Sequence, residues 1–128
     1  MFRRGKSEAR RRERDGLVSS ILLQRGDVPG DRLAITWVDV APGSRQSPHR
    51  HGPEQVYVII KGKGLMRVGN EEQEVSAGDP VWIPPDAPHG IENRSSNVLS
   101  YISASAPAFD LEALYDTGEL RAEPKRSG

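Results

Sequence analysis

The three histidines of the chain lie close to other polar residues at a spacing that suits metal binding. His49 and His51 stand two apart in residues 43–62, and Gln55 follows four residues later. Side chains of a strand alternate between its two faces, so these three can point the same way while Glu54 points the other way. Two imidazoles on one face form a pincer for a divalent metal ion.

A second stretch, residues 78–93, supplies His89 after a proline-rich turn. Together the two stretches contain every histidine of the chain, and this pattern predicts one site rather than three unrelated surface residues. We therefore predict one divalent transition metal per chain, Mn, Fe, Ni, Co, Cu or Zn. The predicted ligands are His49, His51, Gln55 and His89. Two alternatives remain open: Gln55 lies beside the metal without binding it, or the site holds no metal.

Both stretches resemble the paired motifs of the cupin family. The first motif, G-x5-H-x-H-x(3,4)-E-x6-G, is matched at Gly43, His49, His51 and Gly62. Gln55 stands where glutamate is usual. The second motif, G-x5-P-x-G-x2-H-x3-N, is matched at Gly78, Pro84, His89 and Asn93. Asp86 stands where glycine is usual, and aspartate tolerates turn conformations.

The resemblance extends over residues 17–105 and implies an all-β fold. The expected architecture is a single-domain antiparallel jelly-roll β-barrel with a metal in its mouth. Turn residues at regular spacing support nine or ten short strands. We predict a basic N-terminal arm at residues 1–16, flexible or in contact with a second subunit, and a short C-terminal helix or turn with a disordered tail at residues 106–128. Because cupin barrels commonly pair through edge strands and the N-terminal segment, we also expect a homodimer.

Composition limits the possible partners and location. The 128 residues carry no net charge, but residues 1–15 hold seven basic and three acidic groups, so the remaining chain is mildly acidic. This balance argues against a nucleic-acid-binding face on the barrel. The arm is expected to be solvated, frayed or weakly helical, with contact to phosphate or an acidic partner as the alternative. No cysteine, long apolar run or signal peptide is evident, so we expect a cytoplasmic protein without a membrane partner.

Aromatic and sulfur-containing side chains near the motifs are candidates for the substrate pocket. We predict hydroxyl groups of Tyr57 and Tyr101 as catalytic groups. The remaining predicted pocket residues are Trp37, Met66, Trp82 and Phe109. For Trp37, a place in the core is the alternative.

The cupin resemblance and the neutral amide of Gln55 together favour an enzyme. Because an amide leaves the metal its full charge, the site suits a small substrate with carbonyl, enol or carboxylate oxygens. The expected reaction is isomerisation or cyclisation, or a dioxygenase-like, oxygen-dependent cleavage. The alternative is a non-catalytic cupin that binds or senses a small ligand.

Overall fold

The computed structural model describes residues 1–30 and 32–108, and within them the chain forms ten β-strands and one short 3-10 turn at Lys6–Glu8. The strands are β1 (Arg10–Arg14), β2 (Leu17–Leu23), β3 (Ala34–Val40), β4 (Arg45–His49), β5 (Glu54–Lys61), β6 (Lys63–Val68), β7 (Glu71–Ser76), β8 (Pro80–Ile83), β9 (His89–Glu92) and β10 (Leu99–Ala106).

Two antiparallel sheets contain all of these strands. The larger sheet has the order β1-β2-β3-β10-β5-β8, and the smaller one has the order β4-β9-β6-β7. Neighbours such as β3 and β10 are far apart in the chain, because the chain crosses repeatedly between the sheets, as in a jelly roll. The predicted all-β antiparallel class is therefore confirmed.

The core lies between the inner faces of the two sheets. Strand β3 shows the underlying alternation, since its residues are buried and half-buried in turn from Ala34 to Val40. Burying a large apolar side chain contributes about 1.5–3 kcal/mol, so this shared core stabilises the sheets against each other. Its members are Leu17, Val38, Val40, Tyr57, Ile59, Met66, Val75, Ile83, Ile91, Leu99 and Tyr101.

The basic N-terminal segment is not the frayed or weakly helical arm that its composition suggests. Arg10–Arg14 forms β1, which pairs with β2 at the edge of the larger sheet. Before it, Arg4 Nη1 lies 2.8 Å from Asp27 Oδ2, and Lys6 Nζ lies 3.0 Å from Asp39 Oδ2. Backbone pairing and these contacts hold the segment on the sheet, and composition alone reveals neither partner.

Trp37 lies on the outer face of β3, so its predicted place in the pocket or core is corrected. Its Nε1 donates to Asp39 Oδ1 at 2.9 Å, and Lys6 Nζ lies 4.8 Å from its ring centroid. Asp39 also accepts from the hydroxyl of Ser100 at 2.6 Å. Alternation in the sequence identifies two faces of a strand, but only packing against the second sheet decides which face is inside.

The predicted C-terminal helix or turn, together with Phe109, lies outside the described residues. Strand β10 ends at Ala106, just beyond the region of the resemblance. Within residues 1–30 and 32–108, no helix is long and apolar enough to cross a membrane.

Candidate metal centre

The three histidines converge at one end of the smaller sheet. His49 closes β4 and is paired in register with His89, which opens β9. His51 belongs to the loop that follows β4. The ring centroids lie 4.4–5.1 Å apart, and one possible ligand atom from each residue lies within 4.8 Å of the others. Three elements thus aim imidazoles at one small volume, as the spacing predicted.

Backbone carbonyl groups orient two of these rings. Nδ1 of His49 lies 3.0 Å from the carbonyl oxygen of Ser47, and Nδ1 of His89 lies 3.0 Å from that of Ala87. A ring that donates from Nδ1 presents a lone pair on Nε2. Nε2 of His89 is buried and has no hydrogen-bond partner among the described residues. Such a nitrogen is suited to bind a metal ion.

The environment favours neutral imidazoles at two of these positions. The pKa of His51 is lowered to about 4, mainly by burial and in addition by His49, while the nearby amide of Gln55 opposes the shift. The pKa of His89 is lowered to about 3, mainly by burial and in addition by His49 and His51, while the hydrogen bond to the Ala87 carbonyl opposes the shift. Both rings are therefore neutral at pH 7, and neutral imidazole is the form that ligates metals.

Gln55 shares the inner side with the histidines, whereas Glu54 does not. The side chain of Gln55 contacts His89, and its Nε2 donates to Ser103 Oγ at 3.1 Å. Its Oε1 is buried and makes no hydrogen bond of normal geometry with any described residue. Glu54 instead accepts from Trp82 Nε1 at 2.6 Å on the outer side. An amide oxygen and three imidazole nitrogens fit a divalent transition metal.

Tyr57 and Tyr101 both line the cavity beside the histidines. Their rings stack with centroids 4.4 Å apart, and the Tyr57 ring meets the His89 ring edge-on at 5.7 Å. The Tyr57 hydroxyl donates to Gln46 Oε1 at 3.0 Å. Both rings are at least 98% buried, so their positions are set by packing. Their catalytic role stays a prediction.

Two other predicted pocket residues lie elsewhere. Met66 belongs to the core, and its exposed edge faces a separate surface groove rather than the cavity. Trp82 borders the same groove and is 58% exposed on the outer side of β8. The structure thus places neither side chain in the wall of the cavity beside the histidines: Met66 packs in the core between the sheets, and Trp82 lies on the outer face of edge strand β8.

The family model described as "Cupin domain" matches residues 36–105, more than half of the chain. The chain belongs to the cupin family.

Relatives and solved structures agree with this assignment. An uncharacterized protein of Methanocaldococcus jannaschii, MJ1618, is 35% identical over 100 residues, which span 77% of this cupin and 80% of the relative. An RmlC-like cupin from Shewanella frigidimarina superimposes with a TM-score of 0.74 at 19% identity, over 86% of this chain and 94% of the other. The polyketide cyclase RemF from Streptomyces resistomycificus has a TM-score of 0.72 at 20% identity, over 95% of both chains.

Two residues of the second cupin motif stabilise the loops around the site. Asp86 has a φ of 62°, the left-handed conformation for which the family normally uses glycine, and its N–H donates to the carbonyl of His51 at 2.9 Å. Asn93 is fully buried, and its Nδ2 donates to the carbonyls of Val40 at 2.9 Å and Asn97 at 2.7 Å. These contacts tie the histidine loop and the end of β9 to their surroundings.

The sequence analysis did not identify most of the polar wall of the cavity. Small hydroxyl and amide side chains line it, and alternation along β2 and β3 could have identified several of them once their inner faces were known. These residues are Ser19, Gln24, Thr36, Gln46 and Ser105.

Proposed function

We propose that this cupin is a metal-dependent enzyme acting on a small substrate with carbonyl, enol or carboxylate oxygens. The observation that carries the proposal is the convergence of three imidazoles within 4.8 Å at a cavity that also receives the amide of Gln55. His49, His51, His89 and Gln55 would hold one divalent ion. When bound there, Mn, Fe, Co, Ni, Cu or Zn would supply Lewis acidity, and some of these ions would also supply redox chemistry with oxygen.

In this proposal the protein's own residues bind and orient the substrate. The buried tyrosines, Tyr57 and Tyr101, bring hydroxyl groups to the cavity wall, where they bind substrate oxygens or carry a proton. Tyr57 is held in place by its bond to Gln46 and by stacking on Tyr101. Isomerisation, cyclisation and oxygen-dependent cleavage are the reactions that fit. The similarity of fold to a polyketide cyclase supports this range without choosing within it.

A non-catalytic ligand-binding or sensor cupin is the second candidate. Among the residues that the structure describes, no carboxylate or lysine lines the cavity, so a strong general base is not evident there. A site with a metal and hydroxyl groups but no strong base can capture a ligand without converting it.

Metal analysis tests the shared part of both candidates. Protein purified from unsupplemented cells should contain about one transition metal ion per chain, whereas His51→Ala should contain much less. Glu54→Gln is the matched control, because Glu54 lies beside the site in sequence but faces outward. Wild type without metal, or His51→Ala with a full complement, would contradict the proposed site.

Turnover separates the two candidates. The metal-loaded protein is incubated with a panel of small hydroxy and oxo acids, and product formation is followed by mass spectrometry. A Gln55→Glu variant that keeps its metal but changes turnover would support the enzyme, whereas ligand binding without product would support the sensor. The predicted homodimer is tested separately by light scattering of the purified full-length chain.

A further inference from the structure

A groove separate from the metal centre opens between β7, the last strand of the smaller sheet, and β8, the last strand of the larger one. Its volume is about 490 Å³, within the range of about 300–1,000 Å³ that is typical of small-molecule sites. None of the three histidines lines it. Its apolar lining comes from Met66, Val68, Val75 and Val81. The groove is therefore large enough for an organic molecule and distinct from the proposed metal ligands.

The two terminal strands differ in length, and this leaves the interior of the sandwich open to solvent. Strand β7 has six residues and β8 has only four. Glu71 and Gln73 lie on the same face of β7 as Val75, which is buried in the core. Both are nevertheless exposed, because the shorter β8 leaves this part of the inner face of β7 uncovered. A carboxylate, that of Glu71, thus lies beside an apolar surface.

The side chain of Trp82 forms one border of the groove. It is 58% exposed, and its Nε1 donates to Glu54 Oε2 at 2.6 Å, which fixes the orientation of the ring. The face of an indole ring attracts cations more strongly than that of any other aromatic side chain. An exposed and oriented indole next to an apolar groove is therefore suited to a ligand that is both apolar and positively charged.

The charge of the groove has the sign that such a ligand requires. Glu71, Glu72 and Asp79 line it, and no Lys, Arg or His of the described residues does so. Glu72 lies on the outer face of β7, in register with Arg67 and near Arg94, so these cations partly offset its charge. Asp79 Oδ2 accepts a backbone N–H at 2.8 Å, which holds that carboxylate in place. Glu71 and Asp79 thus give the groove most of its negative charge.

We propose that this groove binds a small organic cation, an ammonium or guanidinium group attached to an apolar chain or ring. The apolar part would lie on Val68, Val75 and Val81, and the cationic group would lie between the indole of Trp82 and the carboxylate of Glu71. This inference goes beyond the proposed function and does not rest on it, because no proposed metal ligand lines the groove.

The edges of the groove are poorly suited to an extended peptide as its occupant. Strand β8 begins with Pro80, which has no N–H to donate to an added strand. Strand β7 carries three glutamates among its six residues, and charge of this kind is how edge strands avoid pairing with another chain. The side chains of the groove, rather than its backbone edges, are therefore the groups that would recognise a ligand.

The test compares three ligands of nearly the same length, 4-phenylbutylamine, 4-phenylbutanol and 4-phenylbutanoate, which are positive, neutral and negative at pH 7. Binding to the purified full-length protein is measured by calorimetry. We expect the amine to bind about tenfold more tightly than the alcohol, and the carboxylate to bind more weakly than the alcohol. Equal affinity for the amine and the alcohol, or no binding of the amine at about 10 mM, would overturn the inference.

Two substitutions in the groove and one control locate the site. Glu71→Gln and Trp82→Leu should each reduce the preference for the amine over the alcohol from about tenfold to about threefold. Glu74→Gln makes the same chemical change as Glu71→Gln on the same strand, but Glu74 does not line the groove, so the preference should stay unchanged. An equal loss in Glu71→Gln and Glu74→Gln would mean that only overall surface charge matters, and the proposed site would then be wrong.

Quenching of tryptophan fluorescence by acrylamide tests whether the groove is open in the full-length protein. The signal of Trp82 is obtained by comparing wild type with Trp82→Leu, which keeps Trp37. Trp82 should be readily quenched at low and high protein concentration, and the amine should protect it whereas the carboxylate should not. A Trp82 that is shielded without ligand would show that a protein segment or a second copy covers the groove, which would overturn the inference.

Removal of metal separates this inference from the proposed function. Protein treated with a chelator should bind 4-phenylbutylamine within about twofold of untreated protein, because the groove contains none of the proposed metal ligands. If chelation abolished amine binding, the amine would be a ligand of the metal, and the groove site would be refuted while the metal centre stood. Protein that never contains metal but binds the amine would contradict only the proposed function.

Discussion

Gly90 allows the two strands that carry His49 and His89 to approach each other closely. A Cβ placed on Gly90 would lie 2.6 Å from the carbonyl oxygen of Gln46 and 3.1 Å from the nitrogen of Pro48. Both are backbone atoms of β4, which cannot rotate away as a flexible side chain can. Ordinary carbon–oxygen contacts are about 3.3–3.6 Å, so Gly90→Ala requires β4 and β9 to separate by several tenths of an ångström or more.

We expect Gly90→Ala to cost about 1–3 kcal/mol of unfolding free energy, the usual range for overpacking a tight contact. For a chain of this length that corresponds to a decrease in Tm of about 4–12 °C. Because His49 and His89 are paired across the same strands, the substitution should also weaken metal binding by about tenfold or more. Thermal unfolding followed by circular dichroism measures the first effect on metal-free protein, and calorimetric metal titration measures the second.

Gly52→Ala is the matched control. Gly52 adjoins His51 as Gly90 adjoins His89, but the nearest atom to its added Cβ is Asp86 Oδ1 at 4.0 Å. Its Tm should stay within about 2 °C of wild type and its metal affinity within about threefold. If Gly90→Ala matched this control in both measurements, the close approach of β4 and β9 could not be what positions the histidines.

Three further substitutions test other contacts of the site and the sheet. Ser103→Ala removes the acceptor that orients the Gln55 amide and should weaken metal binding about threefold to tenfold in a cobalt titration, with no such loss in Ser103→Thr. Tyr57→Phe removes the hydroxyl that donates to Gln46 Oε1, so this half-buried amide oxygen loses its donor. The urea-derived unfolding free energy should fall by about 1 kcal/mol at unchanged metal content. Burial raises the pKa of the Asp39 carboxyl. Hydrogen bonds from Ser100, Trp37 and Lys6 outweigh this effect and hold the pKa below its ordinary value. The carboxylate therefore stabilises the fold above the ordinary pKa of 3.8, and this contribution is lost as the pH falls through its folded pKa. Asp39→Asn should accordingly be less stable than wild type at pH 7, and urea unfolding should show the difference narrowing at pH 3.

Strand alternation and backbone sterics were sufficient to predict features of the site that depend only on residues close together in the chain. The two-residue spacing of His49 and His51 predicted that they would face one site. Because adjacent residues of a strand point to opposite faces, the sequence also predicted that Gln55 and Glu54 would point in opposite directions. The unusual Asp86 in the second motif was expected to tolerate a turn, and it has the left-handed φ that the turn requires. In each case sterics and strand alternation act over a few residues.

Predictions that required knowledge of the second sheet were less successful. Trp37 belongs to the more bulky of the two faces of β3, yet the smaller residues of that strand face inward. Trp82 was expected to point into the barrel, but β8 is an edge strand and its outer face is open to solvent. Hydrophobicity indicates that a side chain can be buried, but it does not indicate what is available to bury it.

The amino-acid sequence by itself determined the strand pattern, the cupin family and the set of residues able to ligate a metal, because these depend on residue type and short-range spacing. Tertiary structure alone decided that the basic segment becomes edge strand β1, since its backbone partner and its ion pairs lie in other parts of the chain. It also decided that the cavity wall carries hydroxyl and amide groups while the nearby carboxylates of Glu54 and Asp39 face outward. The direction of a side chain relative to a cavity is set by how two sheets pack, and no single strand contains that information.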